Sequence, residues 1–470
     1  MPRVLLFATT TGYQTRAFGD AADRLGVELV FATDRCHVID DPWRDNAIAI
    51  RFYDEEASAA SILEAARERP IDGVLAVGDR PTVIAACVAA ALGLAWHPVE
   101  AVAAARHKLR TRERFRNAGL PVPWFAAFDL GTNLVPSTSV PPPPTSVPGP
   151  PTSVPGLPTS VPYPCVLKPV ALSGSRGVIR ADDLASLATA IERLRTLMRS
   201  PEIRAERDEA HDTAVVEAFI TGREYAIDAI LHDGALHVLA IFDKPDPLDG
   251  PFFEETIYVT PSAAVAEVRS AIVGAIGRAA EALGLRHGPI HAECRVNLTS
   301  GHPEVFVLEV AARPIGGLCA RALRFERIPN LARLLTPDTR IPNPDSLIPL
   351  EELLLRHALG ESPSGWRREP CASGVMMIPI PRKGILRRVD GVDAARAVPH
   401  VVDVTITAKI DQRLVPLPEG ASYLGFIFAR AIAAADVDRA LRAAHARLRF
   451  AIDAQFPVLA AANTLQSDHG

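Results

Sequence analysis

The chain has 470 residues, 48% of them hydrophobic and 22% charged, with a formal net charge of -5. This length predicts two to four domains with a large core, and the balanced charge without a basic block argues against a nucleic-acid partner. The six cysteines are scattered without a CxxC pair, which argues against a zinc ribbon or a disulfide framework.

The N-terminal hundred residues alternate apolar runs (VLLFAT, VELVFAT, DGVLAVGD) with Ala-rich helical segments. Strand-helix-strand order with doubly buried strands predicts a small doubly wound α/β domain. The opening run follows a single Arg, no small-residue cleavage site follows it, and a cytoplasmic chain is the simpler expectation. The most apolar stretch, 82–96, is too short to span a bilayer and reads as a buried helix. The turn Thr9-Thr10-Thr11-Gly12, with Asp34 further on, suggests a dinucleotide site, but it has one glycine where that fingerprint needs three. A charged helix over 106–118, the stop AGLPVP and a strand WFAAF come next.

From Thr138 a proline-containing seven-residue unit recurs, with Thr at 138, 145, 152 and 159. Proline in each unit forbids a coiled coil, so the segment reads as an extended insertion. Beyond it, YPCVLKPV is a predicted strand and DLASLATAIERLRTLM a helix. The runs AVVEAFI, EYAIDAIL and LHVLAIFD follow as strands, then a long helix over 264–283 and two strands, HAECRVNL and EVFVLEVAAR. The region from Cys371 is β-rich, closing with a helix in DVDRALRAAHARLRFAI and a frayed tail.

Several residues carry possible chemistry. Lys168 is delivered by a strand, and Ser173, Gly174, Ser175, Arg176 and Gly177 follow as a loop whose glycines let bare N–H groups approach a polyphosphate. The ordinary alternative is a hairpin turn. Glu293 and Glu309 lie in facing segments of a predicted hairpin and suit a divalent cation, with Arg313 beside them for a carboxylate or phosphoryl group. Cross-strand pairing with Arg295 and Arg313 would explain the same carboxylates structurally. In EAFITGRE, Glu217, Phe219 and Ile220 end a strand that could present its backbone to an adenine, and Glu224 could meet ribose hydroxyls; solvated strand ends explain these residues as simply. Only five of the 50 basic residues are lysine, namely Lys108, Lys168, Lys244, Lys383 and Lys409. A kept lysine suggests a need for a compact ammonium.

In this order the motifs resemble the ATP-grasp carboxylate-amine ligases, and within them the group that includes the L-amino acid ligases. The resemblance covers the chain except the proline repeat and the tail. It implies a mixed α/β and α+β multidomain fold: an N-terminal doubly wound α/β domain (1–105), a two-lobed ATP-grasp domain (106–355) interrupted by the insertion 138–162, a C-terminal β-rich domain (356–460) and a tail (461–470). Lys108 in HKLRTRERF and Lys168 in VLKP match the two phosphate-binding lysines, and Ser173 to Gly177 the loop that closes over the phosphates. Glu217, Phe219 and Ile220 resemble the adenine hinge, and Glu224 the ribose carboxylate. Glu293 and Glu309 match the ligands of Mg²⁺ (or Mn²⁺), and Arg313 the arginine beside the reacting carboxylate.

The segment FFEETIYVTPS resembles the substrate loop, with Glu255 facing an amine and Tyr258 standing where several relatives place His. Ala311 replaces the Asn that most of the family uses as a further metal ligand, a departure shared by the amino acid ligases. Residues 245–261 and 318–324 are expected to shape the substrate pocket. The activity implied is ATP-dependent, ADP-forming amide synthesis from a small carboxylate and an amine through an acyl phosphate, without nucleic-acid or membrane partners and compatible with a homodimer. The alternatives within reach of the same motifs are carboxyphosphate chemistry of the carboxylase type and a non-catalytic ATP-binding homologue.

Overall fold

The computed structural model describes residues 1–9, 14–34, 47–131, 160–328 and 347–454. The proline repeat before Ser160, the Thr10–Gly12 part of the N-terminal turn and the tail lie outside the described residues.

The apolar runs of the N-terminal region form parallel strands Arg3–Ala8, Glu28–Thr33, Ile48–Ala49 and Gly73–Val77, with the first strand between the second and fourth. Helices Thr15–Leu25, Glu55–Glu68 and Thr82–Leu92 connect and cover them, the expected doubly wound arrangement. In such sheets ligands bind beyond the carboxyl ends of the strands, and Thr9 and Asp79 follow directly from two of these ends. The expected buried helix ends at Leu92, where Gly93 takes a left-handed conformation (φ +68°). The expected charged helix over 106–118 is Lys108–Asn117, and Arg106 ends a separate preceding helix, Val99–Arg106, because His107 takes an extended conformation and caps the charged helix, its Nδ1 accepting from the Arg110 N–H.

The next region is a four-stranded antiparallel sheet in the order Phe125–Asp129, Thr213–Ala218, Cys165–Pro169, Ile179–Ala181. Helix Leu184–Met198, started by a capping box at Asp183 and Ser186, covers it with Leu187, Ile191 and Leu194.

An eight-stranded antiparallel sheet dominates the rest, in the order Glu304–Ala311, Gly288–Asn297, Arg223–His232, Ala235–Asp243, Ile257–Thr260, Ala372–Ile378, Gly425–Ala431, Val401–Ile406. Helix Ala266–Leu283 buries Ile272, Ile276 and Leu283 in the same core. Three expectations need correction. The C-terminal β region is continuous with the central sheet, since Ile257–Thr260 pairs with Ala372–Ile378. The predicted substrate loop is therefore a sheet strand at Tyr258, with Glu255 just before it. The closing helix is Ala434–His445 only, and Arg449–Asp453 is a strand paired with Gly384–Asp390. That closing helix packs so closely that a Cβ on Gly374 would lie 2.7 Å from both Val437 Cγ1 and the Tyr258 carbonyl.

Helix Leu350–Ala358 lies against the N-terminal domain, where a Cβ on Gly73 would meet the Ala358 carbonyl at 2.5 Å. The expected boundary at residue 355 therefore falls inside a helix, and the last domain does not begin there as a separate sheet.

Candidate active site

A cavity of about 560 Å³ is bounded by the four-stranded sheet, one end of the eight-stranded sheet and the strand ends of the N-terminal domain. Almost every residue singled out in the sequence lines it: Lys108, Lys168, Ser173, Gly174, Ser175, Glu217, Phe219, Ile220, Glu224, Glu255, Glu293, Glu309 and Arg313. Of the predicted loop residues, Gly177 does not line it. Its N–H is donated to the Pro418 carbonyl at 2.8 Å, so it anchors the loop to the C-terminal region and does not itself face the cavity. Arg176 adds a second anchor on the Glu419 carbonyl at 2.9 Å. The loop turns through left-handed conformations at Gly174 (φ +62°) and Ser175 (φ +55°), the geometry for which its glycine was expected.

Glu293 and Glu309 stand directly opposite one another on neighbouring strands, as the hairpin reading requires. Neither pairs with the arginines that the structural alternative invoked. Arg295 donates to Glu224 Oε2 at 2.9 Å, and Arg313 turns to Asp79. The partner of Glu293 is Lys244, a residue marked in the sequence only by the scarcity of lysine. Its buried ammonium donates to Glu293 Oε1 at 2.7 Å, Glu224 Oε1 at 2.8 Å and Glu255 Oε1 at 3.1 Å. Tyr258 donates its hydroxyl to Glu293 Oε1 at 3.1 Å and places its ring 5.0 Å from the ammonium.

Burial disfavours the Lys244 charge, but three carboxylates outweigh it and hold the group protonated well above the usual lysine range. Burial likewise disfavours ionised Glu293, yet Lys244 and the neighbouring donors hold it well below the carboxylate range. The remaining strain falls on Glu255. Burial and then the Glu293 charge raise it to about 7, against the pull of Lys244.

The site holds a further element that the sequence did not disclose. His291 Nδ1 donates to Asp228 Oδ1 at 3.0 Å, and its Nε2 lies 3.8 Å from Glu293 Oε1. Burial opposes its charge, but the bond to Asp228 and the Glu293 carboxylate prevail and push His291 up to about 9. An imidazolium therefore backs the carboxylate at neutral pH.

On the other wall, Lys168 Nζ donates to Glu217 Oε2 at 2.7 Å, and Arg112 holds the same carboxylate through Nε at 2.6 Å and Nη2 at 3.2 Å. Burial opposes ionisation of Glu217, but these two cations bring it to about 2. Desolvation lowers Lys168, with the Glu217 charge opposing. The Glu217 side chain thus aims the lysine, a role beyond the predicted hinge.

Lys108 Nζ donates to the Leu172 carbonyl at 2.6 Å and sits 3.7 Å from Glu309. The hinge backbone is partly committed: the Phe219 N–H goes to the Pro164 carbonyl, and the Ile220 carbonyl accepts from Arg295 Nη1 at 2.9 Å. Two guanidinium groups, Arg180 and Arg295, approach the Phe219 ring within 5.0 Å of its centroid. A ribose hydroxyl at Glu224 would share oxygens already bonded to Lys244 and Arg295.

Arg313 is held by Asp79 in a two-pronged pair, Nε to Oδ1 at 3.0 Å and Nη2 to Oδ2 at 3.1 Å. Burial raises Asp79, but Arg313 more than reverses it and the carboxyl lies below its usual range. The N-terminal domain thus supplies the counter-charge that orients an arginine of the central sheet.

The donors suit a hard divalent cation. Glu293 and Glu309 offer oxygen ligands in register at the cavity wall, and Glu309 keeps 27% of its side chain exposed. Ala311 is buried and offers no further donor, so the rest of a coordination shell would come from phosphate oxygens and water.

The chain resembles known proteins in its domains and its fold. Residues 161–322 match the ATP-grasp domain, 19–95 the ATP-grasp N-terminal domain, and 376–453 the L-amino acid ligase C-terminal domain 2. The crystal structure of L-amino acid ligase from Bacillus licheniformis superposes with a TM-score of 0.73 at 25% identity, over 97% of this chain and 99% of that one. Biotin carboxylase from Campylobacter jejuni shares the fold at a TM-score of 0.58 and 15% identity, over 96% of this chain and 92% of that one. Alanine--anticapsin ligase of Bacillus subtilis is 29% identical over 189 residues, 37% of this chain and 36% of that protein. The ATP-grasp enzyme fsqD of Aspergillus fumigatus is 22% identical over 337 residues, 64% of this chain and 53% of its own length. The matches thus span between about a third and a half of these curated relatives.

Proposed function

The chain belongs to the ATP-grasp family, and on that premise we propose that it is an ADP-forming carboxylate-amine ligase joining an amino acid or other small carboxylate to an amine. The observation that carries the proposal is the convergence on one cavity of two lysines, an arginine and two register-paired carboxylates. The likeness to an L-amino acid ligase along nearly the whole chain supports the same reading.

In the proposed reaction a substrate carboxylate oxygen takes the γ-phosphoryl group of ATP and ADP leaves. The amine nitrogen then bonds to the acyl carbon as phosphate departs, and the amine loses a proton. Lys108 and Lys168 would neutralise phosphate charge, and Glu217 with Arg112 fixes the second of them. Mg²⁺ is the cation we propose at Glu293 and Glu309, with Mn²⁺ as an alternative occupant; when bound it would screen charge on the transferring phosphates. Arg313, pre-oriented by Asp79, would meet the acyl oxygens where charge develops. Glu255, raised to about 7, has the affinity a general base needs to accept the proton of an attacking ammonium near neutral pH. Met377, Tyr423 and Phe426 give the cavity an apolar wall from the C-terminal region, suited to a side chain. The anchored Ser173–Gly177 loop would keep water from an acyl phosphate.

We further propose action in the cytoplasm, possession of small-molecule partners only, and a homodimeric assembly. Among the described residues no helix is long and apolar enough to cross a membrane.

The test is ADP release screened over pairs of amino acids, with mass spectrometry of the product. Amide formation with stoichiometric ADP supports ligation. ADP release that requires bicarbonate or biotin would replace it with carboxylase chemistry, and no release with any pair would favour a non-catalytic homologue. The Glu309→Gln variant should lose ATP turnover while keeping its fold; turnover near the wild-type rate with unchanged Mg²⁺ dependence would refute the proposed role.

A further inference from the structure

Five of the chain's 13 histidines, His97, His232, His237, His287 and His357, gather at the opposite end of the central sheet from the cavity. His232 ends the strand that begins beside Glu224. Eight residues at about 3.3 Å each place it roughly 26 Å along that strand, well away from the nucleotide-binding residues. His287 lies just before the Gly288–Asn297 strand, and His357 comes from helix Leu350–Ala358, the helix seated on the N-terminal domain. The cluster therefore joins three separate segments at one point.

His232, His287 and His357 each offer a ring nitrogen, and the three nitrogens lie within 4.8 Å of one another. His232 Nδ1 and His357 Nε2 are 3.2 Å apart, while the His287 and His357 rings stack at 4.4 Å between centroids. Zinc–imidazole bonds of about 2.0–2.1 Å in a tetrahedron separate ligand nitrogens by about 3.3 Å, so the His232–His357 edge is nearly formed, while the His287 ring, stacked on His357, must turn out of the stack to bring its nitrogen to the same ion.

Asp233 follows His232 in the turn and sits 3.2 Å from His287 Nδ1 through Oδ1. A carboxylate accepting from Nδ1–H leaves Nε2 with its lone pair, the usual outer partner of a zinc-bound histidine. His97 is committed elsewhere, its Nδ1 accepting from the Arg286 N–H at 3.2 Å and its Nε2 facing the Pro289 carbonyl at 3.2 Å. His287 and His357 are buried, whereas the His232 side chain is 26% exposed and gives an ion a way in.

We propose that His232, His287 and His357 form a zinc site, with Asp233 orienting His287 and water completing the shell. A neutral imidazole set favours zinc over Mg²⁺, which takes oxygen ligands. The ion would fasten the helix of His357 to the hairpin of the central sheet, and so would link the N-terminal domain to the sheet that carries Glu293. This proposal stands independently of the ligase reading, because its readout is metal binding.

The experiment uses the full chain with any affinity tag removed. It is stripped with a chelator, equilibrated with one equivalent of Zn²⁺ in excess Mg·ATP, and freed of loose metal by gel filtration. About one zinc per chain should remain, and Co²⁺ in its place should give the visible spectrum of a tetrahedral nitrogen-ligated ion. His232→Gln should weaken zinc binding more than tenfold, and Asp233→Asn by about 10–100-fold, the scale of an outer-partner loss. Both changes lie at a partly exposed turn and should leave ADP release by the zinc-free protein unaltered. His357→Gln should abolish retention; if it does not fold, His232→Gln decides alone. Zinc affinity unchanged in His232→Gln, no zinc retained at micromolar concentration, or retention lost in Glu309→Gln would each overturn the proposal, the last by placing the ion at the nucleotide cavity.

Discussion

Glu255→Gln tests the electrostatic reading of the cavity without presupposing any activity. Glu255 is raised from its ordinary 4.5 to about 7, by burial first and the adjoining Glu293 charge second. At about 1.36 kcal/mol per pKa unit, that displacement is worth about 3 kcal/mol. The sign follows from proton uptake. Below 4.5 the group is protonated whether the chain is folded or not, and between 4.5 and about 7 only the folded state keeps the proton. Stability contributed by that proton is fully present at low pH and is lost as pH rises through about 7.

An amide cannot titrate, yet it retains an oxygen for Lys244 and an N–H for Glu293, the same partners as the protonated acid. The variant should exceed the wild type by no more than about 1 kcal/mol at pH 5 and by about 3 kcal/mol at pH 8. Chemical denaturation of both proteins at half-unit steps from pH 5 to 8.5 would read the difference. A difference that stays constant over this window, or shrinks as pH rises, would refute the assignment of the raised proton affinity to Glu255. The same variant should bind ATP and fail to form amide, because the group proposed to accept the amine proton is gone.

Tyr258→Phe removes a hydroxyl that favours the ionised form of Glu255. The alkaline shift of that group should grow, seen as a higher midpoint in the pH dependence of denaturation or of amide formation. Arg112→Met strips Glu217 of its better-buried partner, and breaking such a pair should cost about 3–5 kcal/mol in a denaturation experiment. Asp79→Asn should leave the affinity for ATP within a factor of about two but lower ADP release by about 10²-fold, the scale on which small misplacement of a charged group acts. Steady-state kinetics with varied ATP would separate those two effects.

The groups legible in the sequence are those whose partners are close in the chain or whose function is written into a local pattern. The Lys168 strand and the loop after it, the Glu293–Glu309 hairpin and the N-terminal α/β alternation each depend on elements adjacent in the chain. The groups that escaped depend on pairing over long separations. Arg313 meets Asp79 across 234 positions, and His291 meets Asp228 across 63. Nothing in either local pattern specifies the partner. The junction of the Ile257–Thr260 strand with the Ala372–Ile378 strand is of the same kind, so the expected division between central and C-terminal domains was drawn through a continuous sheet.

Lys244 occupies the middle ground, since lysine scarcity marked it but gave it no role. The structure supplies that role through charge balance. Glu224, Glu255 and Glu293 converge on a volume almost closed to solvent, where three unpaired carboxylates would be prohibitive. One ammonium and the neighbouring Arg295 and His291 offset that charge, while burial and then the adjoining Glu293 charge raise the proton affinity of Glu255. An arginine at position 244 would present a planar fork where the three oxygens converge on a single nitrogen. Retaining lysine there in an arginine-rich chain therefore follows from geometry. The same requirement ties the ionisation of a metal-facing carboxylate to the proton on its neighbour, so that charge brought in by a substrate ammonium or a divalent cation must alter both together.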